Sequence, residues 1–146
     1  MQPLVAYCAP IWHPRHKRVL KLVQTAQNRF SRLFCGQRST GDFRLAAGIH
    51  NVENQLRLED IRQFSRDLQS GRVVRPAPPR ETRSAGGSNF PLEKTHTETR
   101  EHFYHNRARR EWNSLPDEIK KIQSHRRLMK AASAFLLRQE SQSRGS

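Results

Sequence analysis

The sequence predicts an all-α fold of about four amphipathic helices in two pairs, joined by a disordered linker rich in proline and glycine. Apolar residues recur at intervals of three and four in several segments, which is the period of a helix with one apolar face. No alternating strand pattern of useful length is present. Only 34% of the 146 residues are hydrophobic, against about 45–50% in typical domains. A core can therefore form only where those segments meet.

The first helix is predicted over residues 15–35. Pro14 lies near its start, where a missing N–H costs nothing, and Gly36 follows its last apolar residue. Its apolar face consists of Val19, Leu22, Val23, Ala26, Phe30, Leu33 and Phe34. A face of this width is typical of a helix that packs on a core.

A second helix is predicted from about Asn51 to Ser70, after a break in the pattern between Gly41 and Gly48. Asn51 is a suitable N-cap, and Gly71 follows the last periodic residue. The predicted apolar face contains Leu58, Ile61, Phe64, Ser65 and Leu68.

Residues 72–99 contain several prolines, glycines and serines but few apolar side chains, which predicts a flexible linker. A third helix is predicted from about Thr99 to Leu115, where Pro116 ends it. A fourth is predicted to begin near Ser124. The segments are therefore 1–71, 72–99, a C-terminal helical block over 100–138, and a polar, frayed tail over 139–146.

The charge is strongly positive, with 27 Lys and Arg against 13 Asp and Glu and a formal net charge of +14. Residues 1–50 carry eight basic side chains and one acidic side chain, and residues 101–146 carry ten and five. Such a chain attracts polyanions, and nucleic acid is the commonest of them. An anionic membrane surface or an acidic protein is the alternative partner.

Cys8 and Cys35 form no C-x-x-C pair, so we predict no zinc knuckle and a reduced, intracellular protein, nuclear or cytoplasmic. No run of 18 apolar residues predicts a transmembrane helix, and the first residues do not resemble a signal peptide. His13 with His16, and His102 with His105, have a spacing that can chelate a metal, but no third ligand is nearby. We therefore expect no metal, no cofactor, no membrane association and no secretion.

Two stretches carry motifs. A proline, a tyrosine and a tryptophan precede the first helix, and that helix contains a glutamine and has a basic end. These residues are Pro3, Tyr7, Trp12, Leu22, Gln27, Arg29 and Arg32. Later, an aromatic residue and Asn-Arg precede W-N-S-L-P, a serine and a final helix with an aromatic residue. These are Phe103, Asn106, Arg107, Trp112, Asn113, Leu115, Pro116, Ser124 and Phe135.

Both stretches, in this order, resemble the region downstream of the palm in reverse transcriptases of non-LTR (LINE-type) retrotransposons. The resemblance covers nearly the whole chain, although its middle is weak. It implies an RNA-directed DNA polymerase of a transposable element, with residues 1–71 as a thumb-like region.

The polymerase centre of that family needs an aromatic-x-Asp-Asp turn that holds two metal ions, and this chain has no Asp-Asp pair. We therefore expect a truncated fragment that lacks the palm, has no catalytic residue and is not an enzyme. Docking on the missing reverse-transcriptase core is a further expectation.

Basic residues of the first helix predict a nucleic-acid contact. Arg18, Lys21, Arg29 and Arg32 share one side of the helical wheel, where they can follow a phosphate backbone, together with Gln24, Thr25 and Asn28. A similar but weaker row, on the last helix, contains Arg127, Lys130 and Arg138. The alternative for both rows is an ordinary solvated helix face.

The aromatic residues are open to two interpretations. Trp112 and Tyr104 have the helical spacing of core residues, although both types of side chain can stack on bases. The sequence therefore leaves three functions open: a reverse-transcriptase tail on template–primer nucleic acid, a free-standing RNA- or DNA-binding module without sequence preference, and a protein-interaction fragment that docks through its apolar helix faces.

Overall fold

The computed structural model describes residues 9–14, 16–35, 40–74, 89–94 and 96–144, and these residues are all-α, with no strand among them. The helices are α1 (Ala9–Trp12), α2 (Lys17–Cys35), α3 (Thr40–Ala46), α4 (Val52–Gln69), α5 (Glu98–Glu101), α6 (Tyr104–Ser114), α7 (Asp117–Lys120) and α8 (His125–Arg144). The all-α prediction is confirmed. The longest four, α2, α4, α6 and α8, correspond to the four predicted helices.

The chain forms two compact units, which divide it differently from the predicted segments. Unit 1 comprises residues 1–58 and 133–146, and unit 2 comprises residues 59–132. The division crosses α4 and α8, so each of these helices contributes to both units. A sequence period marks helices but does not show which half of a long helix belongs to which core.

The core of unit 1 is small. Ala9, Val52 and Leu56 are fully or almost fully buried, and Leu20 and Val23 of α2 pack against them. Leu136 of α8 is also fully buried in this unit. With so few apolar residues, polar side chains complete the packing.

Of the predicted apolar face of α2, Val23 packs on the core of unit 1, but most of the described members are exposed, so the predicted buried face is largely wrong. Leu22 is 66% exposed and Leu33 is 77% exposed, and Val19 and Phe30 are exposed as well. The buried side of α2 carries Gln27 and Ser31 instead. Hydrogen bonds that join α2 to His50 and to the first residue of α4, described below, turn this polar side of the helix toward the interior of unit 1.

The ends of α3 and α4 follow from local chemistry. Asn51 caps α4, because its Oδ1 accepts a hydrogen bond of 2.7 Å from Asn54 N. Gly71, with φ of +74°, lies just beyond the end of α4. Helix α3 lies in a segment for which no helix was predicted. It ends in a Schellman arrangement: Ile49 N donates to Arg44 O and Gly48 N to Leu45 O, with φ of +65° at Gly48.

Unit 2 is built on aromatic packing. The Phe64 ring lies 5.1 Å from the Phe90 ring, edge to face, and 5.5 Å from the Trp112 ring. Pairs in this range stabilise a core beyond their buried area. The remaining fully or almost fully buried apolar side chains of unit 2 are Ile61, Ala108, Leu115, Leu128 and Ala132.

Two predicted polar segments contain packed residues. Phe90, placed in the 72–99 linker, is 5% exposed, and residues 75–88 of that linker lie outside the described residues. Glu140, placed in the frayed tail, is buried within α8, which continues to Arg144. Its carboxylate accepts hydrogen bonds from Arg44, Asn51 N and Asn54, all in unit 1. The prediction of a frayed tail is therefore wrong. The buried charge of Glu140 is tolerated because these donors compensate for it.

Candidate nucleic-acid interface

Four cations lie along one sector of α2. Arg18, Lys21, Arg29 and Arg32 are all exposed and belong to one uninterrupted helix. At 100° per residue they fall within a sector of about 80°, and at 1.5 Å per residue they span about 21 Å. We call these four residues the basic row.

No acidic residue neutralises the basic row from within its own helix. The sequence of α2 contains no Asp or Glu, and Lys17 adds a fifth exposed cation at its first position. Lys17 was not among the predicted contact residues, although helical geometry places it about 40° from Lys21. The sector is therefore uniformly positive, and its potential favours an anionic partner.

Polar contacts within unit 1 fix the rotation of α2 about its own axis. Gln24 Oε1 accepts a hydrogen bond of 2.8 Å from Val52 N, the first residue of α4. Gln27 Nε2 donates to His50 O at 3.1 Å. Gln24 and Gln27 lie about 100° and 160° from the centre of the basic row, so these bonds keep the row turned toward solvent.

The polar neighbours of the basic row are used inside the protein. Gln24 Nε2 donates to Gln27 Oε1 and to Asn28 Oδ1, both at 2.9 Å. Thr25 Oγ1 donates to Lys21 O at 2.8 Å. These contacts argue against the predicted phosphate-binding role of Gln24 and Thr25, whose donor groups are already used. Asn28 only accepts in its bond with Gln24, so its role stays a prediction.

An exposed apolar stripe runs beside the basic row. Its members are Val19, Leu22, Ala26, Phe30 and Leu33. Helical geometry places Leu22 about 20° from Arg29, so the two surfaces share an edge. Helix α2 thus presents a positive sector and an apolar sector to solvent on the side away from its buried glutamines.

The predicted basic residues of the last helix are exposed on α8. Arg127 and Lys130 belong to unit 2, and Arg138 belongs to unit 1. Each of the three is therefore accessible within its own unit.

The Asn-Arg pair of the closing motif is buried in unit 2. Arg107 Nε donates to Asp60 Oδ2 at 2.6 Å, and Arg107 Nη2 donates to Asp60 Oδ1 at 3.1 Å. Asn106 Nδ2 donates to Arg100 O at 3.2 Å. Arg107 is therefore an anchor for a buried carboxylate and is unavailable to phosphate.

The W-N-S-L-P residues are structural as well. Asn113 holds Phe90 through two hydrogen bonds of 2.8 Å, because its Oδ1 accepts from Phe90 N and its Nδ2 donates to Phe90 O. Trp112 is 2% exposed and Leu115 3%. Pro116 is the N-cap residue of α7. Burial of Trp112 excludes base stacking by this side chain in the folded unit.

The structure does not describe the side chains of Tyr7 and Trp12 from the N-terminal motif. Tyr7 lies outside the described residues, and only the backbone of Trp12 is described, at the end of α1.

Burial shifts the pKa of several groups. Desolvation lowers the pKa of His50, against a smaller opposing effect of Glu140, and Nε2 of His50 lies 2.7 Å from Ser133 Oγ. Burial, followed by the hydrogen bond from its hydroxyl to Asp67 Oδ2 at 2.9 Å, raises the pKa of Tyr104 far above its usual value. Tyr104 therefore stays a neutral hydrogen-bond donor.

Two classes of site are absent from the described residues. No three His, Cys, Asp or Glu side chains come together there as a metal site, and none of the helices described is long and apolar enough to cross a membrane. Comparison with protein-family models, curated proteins and solved structures gave no match.

Proposed function

We propose that this chain is the C-terminal tail of a non-LTR retrotransposon reverse transcriptase without its palm, and that the basic row of α2 contacts template–primer nucleic acid. The proposal is carried by one observation: four exposed cations line one sector of a helix that has no acidic residue. The order of the two motifs along the chain supports the family assignment.

The contact would act through charge. Arginine and lysine on a helix reach phosphates before base edges, so binding is independent of sequence and releases counterions. A row of about 21 Å matches roughly six base-pair steps at 3.4 Å each. Arg127, Lys130 and Arg138 would add phosphate contacts from α8. With no Asp-Asp pair in the chain, the chain itself performs no polymer synthesis.

The test is affinity for a 20-base-pair RNA–DNA hybrid. Changing Arg18, Lys21, Arg29 and Arg32 together to alanine should weaken binding strongly while helix content by circular dichroism is retained, because all four side chains are exposed. The matched control changes Arg66, Lys94, Lys121 and Arg126 together to alanine, which removes four exposed charges that lie outside the proposed contacts. Equal losses in both variants would show that general charge, and not the basic row, carries binding.

Protein interaction is the second candidate, favoured by the apolar stripe of α2. The members of the stripe recur at intervals of three and four residues, which matches the anchors of a helix that docks on another protein. The partner would be the missing reverse-transcriptase core or another chain with an apolar surface. Leu22→Ser with Leu33→Ser should abolish such binding at all salt concentrations, whereas the alanine variant of the basic row should retain it.

A further inference from the structure

An open cavity of about 760 Å³ lies in unit 2 at the N-terminal end of α6. Its wall includes Arg72 and Val74, which follow α4, and Arg100 of α5. Phe103 and the first turn of α6 complete it. The volume lies within the range of about 300–1,000 Å³ for small-ligand sites.

An aromatic ring is exposed in this cavity. Phe103 is 61% exposed and immediately precedes α6. Among the next residues of the wall, the rings of Tyr104 and His105 lie 5.2 Å apart and are tilted by 55°. A solvent-facing phenyl ring offers an apolar face to a planar ligand, and the bases of unpaired nucleic acid are ligands of this kind.

Two guanidinium groups in the wall are held weakly. Arg72 is 75% exposed and lies 3.8 Å from Asp67, and Arg100 is 66% exposed and lies 4.0 Å from Glu93. Exposed ion pairs at such distances contribute little stability, so an incoming phosphate can replace them. Arg109, in contrast, is held by Glu93 at 3.3 Å and is less exposed.

The start of α6 adds to the positive character of the cavity. Its first turn contains no acidic residue, and no side chain caps it. The first N–H groups of a helix have no partner within the helix and carry a partial positive charge. Together with Arg72 and Arg100, they favour an anion beside the exposed ring.

A buried acceptor lies in the same wall. Asn106 Nδ2 donates to Arg100 O, which fixes the orientation of the amide. Asn106 Oδ1 is left buried without a hydrogen-bond partner, an unfavourable state that a ligand donor such as a base amino group would relieve. Because this oxygen is buried, the primary contacts of a ligand belong to the exposed ring and the guanidinium groups.

We propose that this cavity binds one unpaired nucleotide of a single-stranded nucleic acid, with the base against Phe103 and the phosphate between Arg72 and Arg100. A duplex does not fit this site, because its bases are stacked on one another and their faces are covered. The site is independent of the basic row, since all of its residues belong to unit 2.

Binding to the full-length chain is measured with a labelled 12-nucleotide single strand and with free AMP. These two ligands distinguish binding of a nucleotide within a strand from binding of a free nucleotide. Phe103→Ala should weaken single-strand binding by roughly 5- to 100-fold, the range for one lost base stack. Phe103→Tyr should keep the affinity. The control Leu92→Ala removes another exposed apolar side chain of unit 2 outside the cavity and should change the affinity by less than about twofold. Arg72→Gln with Arg100→Gln should make the salt dependence of single-strand binding shallower by up to about 0.7, because the two guanidinium groups share one single-strand phosphate, which contributes about 0.7.

Unchanged single-strand affinity in folded Phe103→Ala would overturn the proposal, as would equal losses for single strand and duplex. A phosphotyrosine peptide that binds more tightly than the single strand, and loses binding with Phe103→Ala, would also overturn it by assigning the cavity to phosphopeptides. Failure of the basic-row variant to weaken hybrid binding would leave these results unaffected, so the two proposals can fail separately.

Discussion

Arg107→Met removes the guanidinium group that neutralises the Asp60 carboxylate inside unit 2. Asp60 is fully buried, and Arg107 contacts it through two hydrogen bonds and also donates from Nη1 to His102 O at 2.8 Å. Removing one partner of a buried ion pair costs about 3–5 kcal/mol. That loss is a large part of the roughly 5–15 kcal/mol by which a domain is stable.

The assay is urea unfolding followed by circular dichroism. Arg110→Met is the matched control, because its ion pair with Glu101 at 2.8 Å is about half exposed on both sides and should contribute at most about 1 kcal/mol. Asp60→Asn combined with Arg107→Met should recover part of the loss, since no charge is then left buried without this partner. A cost for Arg107→Met no greater than that for Arg110→Met would refute the buried-anchor interpretation of Arg107.

Three further outcomes are expected. Trp112→Ala should lower the free energy of unfolding by about 3–5 kcal/mol, because the side chain is buried against Phe64; a loss near zero in urea unfolding would contradict its core position. Stability should fall as the pH drops below about 6.5, the ordinary histidine value. Burial lowers the pKa of folded His50, so the unfolded chain binds more protons there. Between pH 8 and pH 5 the melting temperature should therefore fall less in His50→Gln than in the parent chain. The pKa of His125 is lowered as well, so part of the pH dependence should remain in the variant. Identical slopes in the two proteins would exclude His50 as a cause. Purified protein should not extend a primer on an RNA template with Mg²⁺ or Mn²⁺, and extension that survives repurification would contradict a chain without the palm.

The sequence predicted the helices better than their packing. Asn51 and Gly71 mark the two ends of α4 as predicted, because caps are local features that a few residues determine. The buried face of α2 was mispredicted, since Gln24 and Gln27 bond to the chain before and at the start of α4. Those contacts join residues more than 20 positions apart, and helical periodicity contains no information about them.

The candidate site shows the same limit. Exposure of the basic row followed from its spacing, because a sector of charges is rarely buried. Glu140 resembled a residue of a polar tail, and its burial depends on Arg44 and Asn54, which lie far away in the sequence. The cavity beside α6 could not be predicted for a similar reason, since Arg72 and Phe103 meet there only through folding.

The salt dependence of hybrid binding tests the central proposal most directly. Log affinity should fall linearly with log salt concentration, with a slope of about −0.9 for each duplex phosphate neutralised. Changing Arg18, Lys21, Arg29 and Arg32 to alanine should make that slope shallower by up to about 3.6 if all four side chains contact phosphate. An unchanged slope in this variant, with helix content retained, would remove α2 from the nucleic-acid interface and leave the basic row as a solvated helix face.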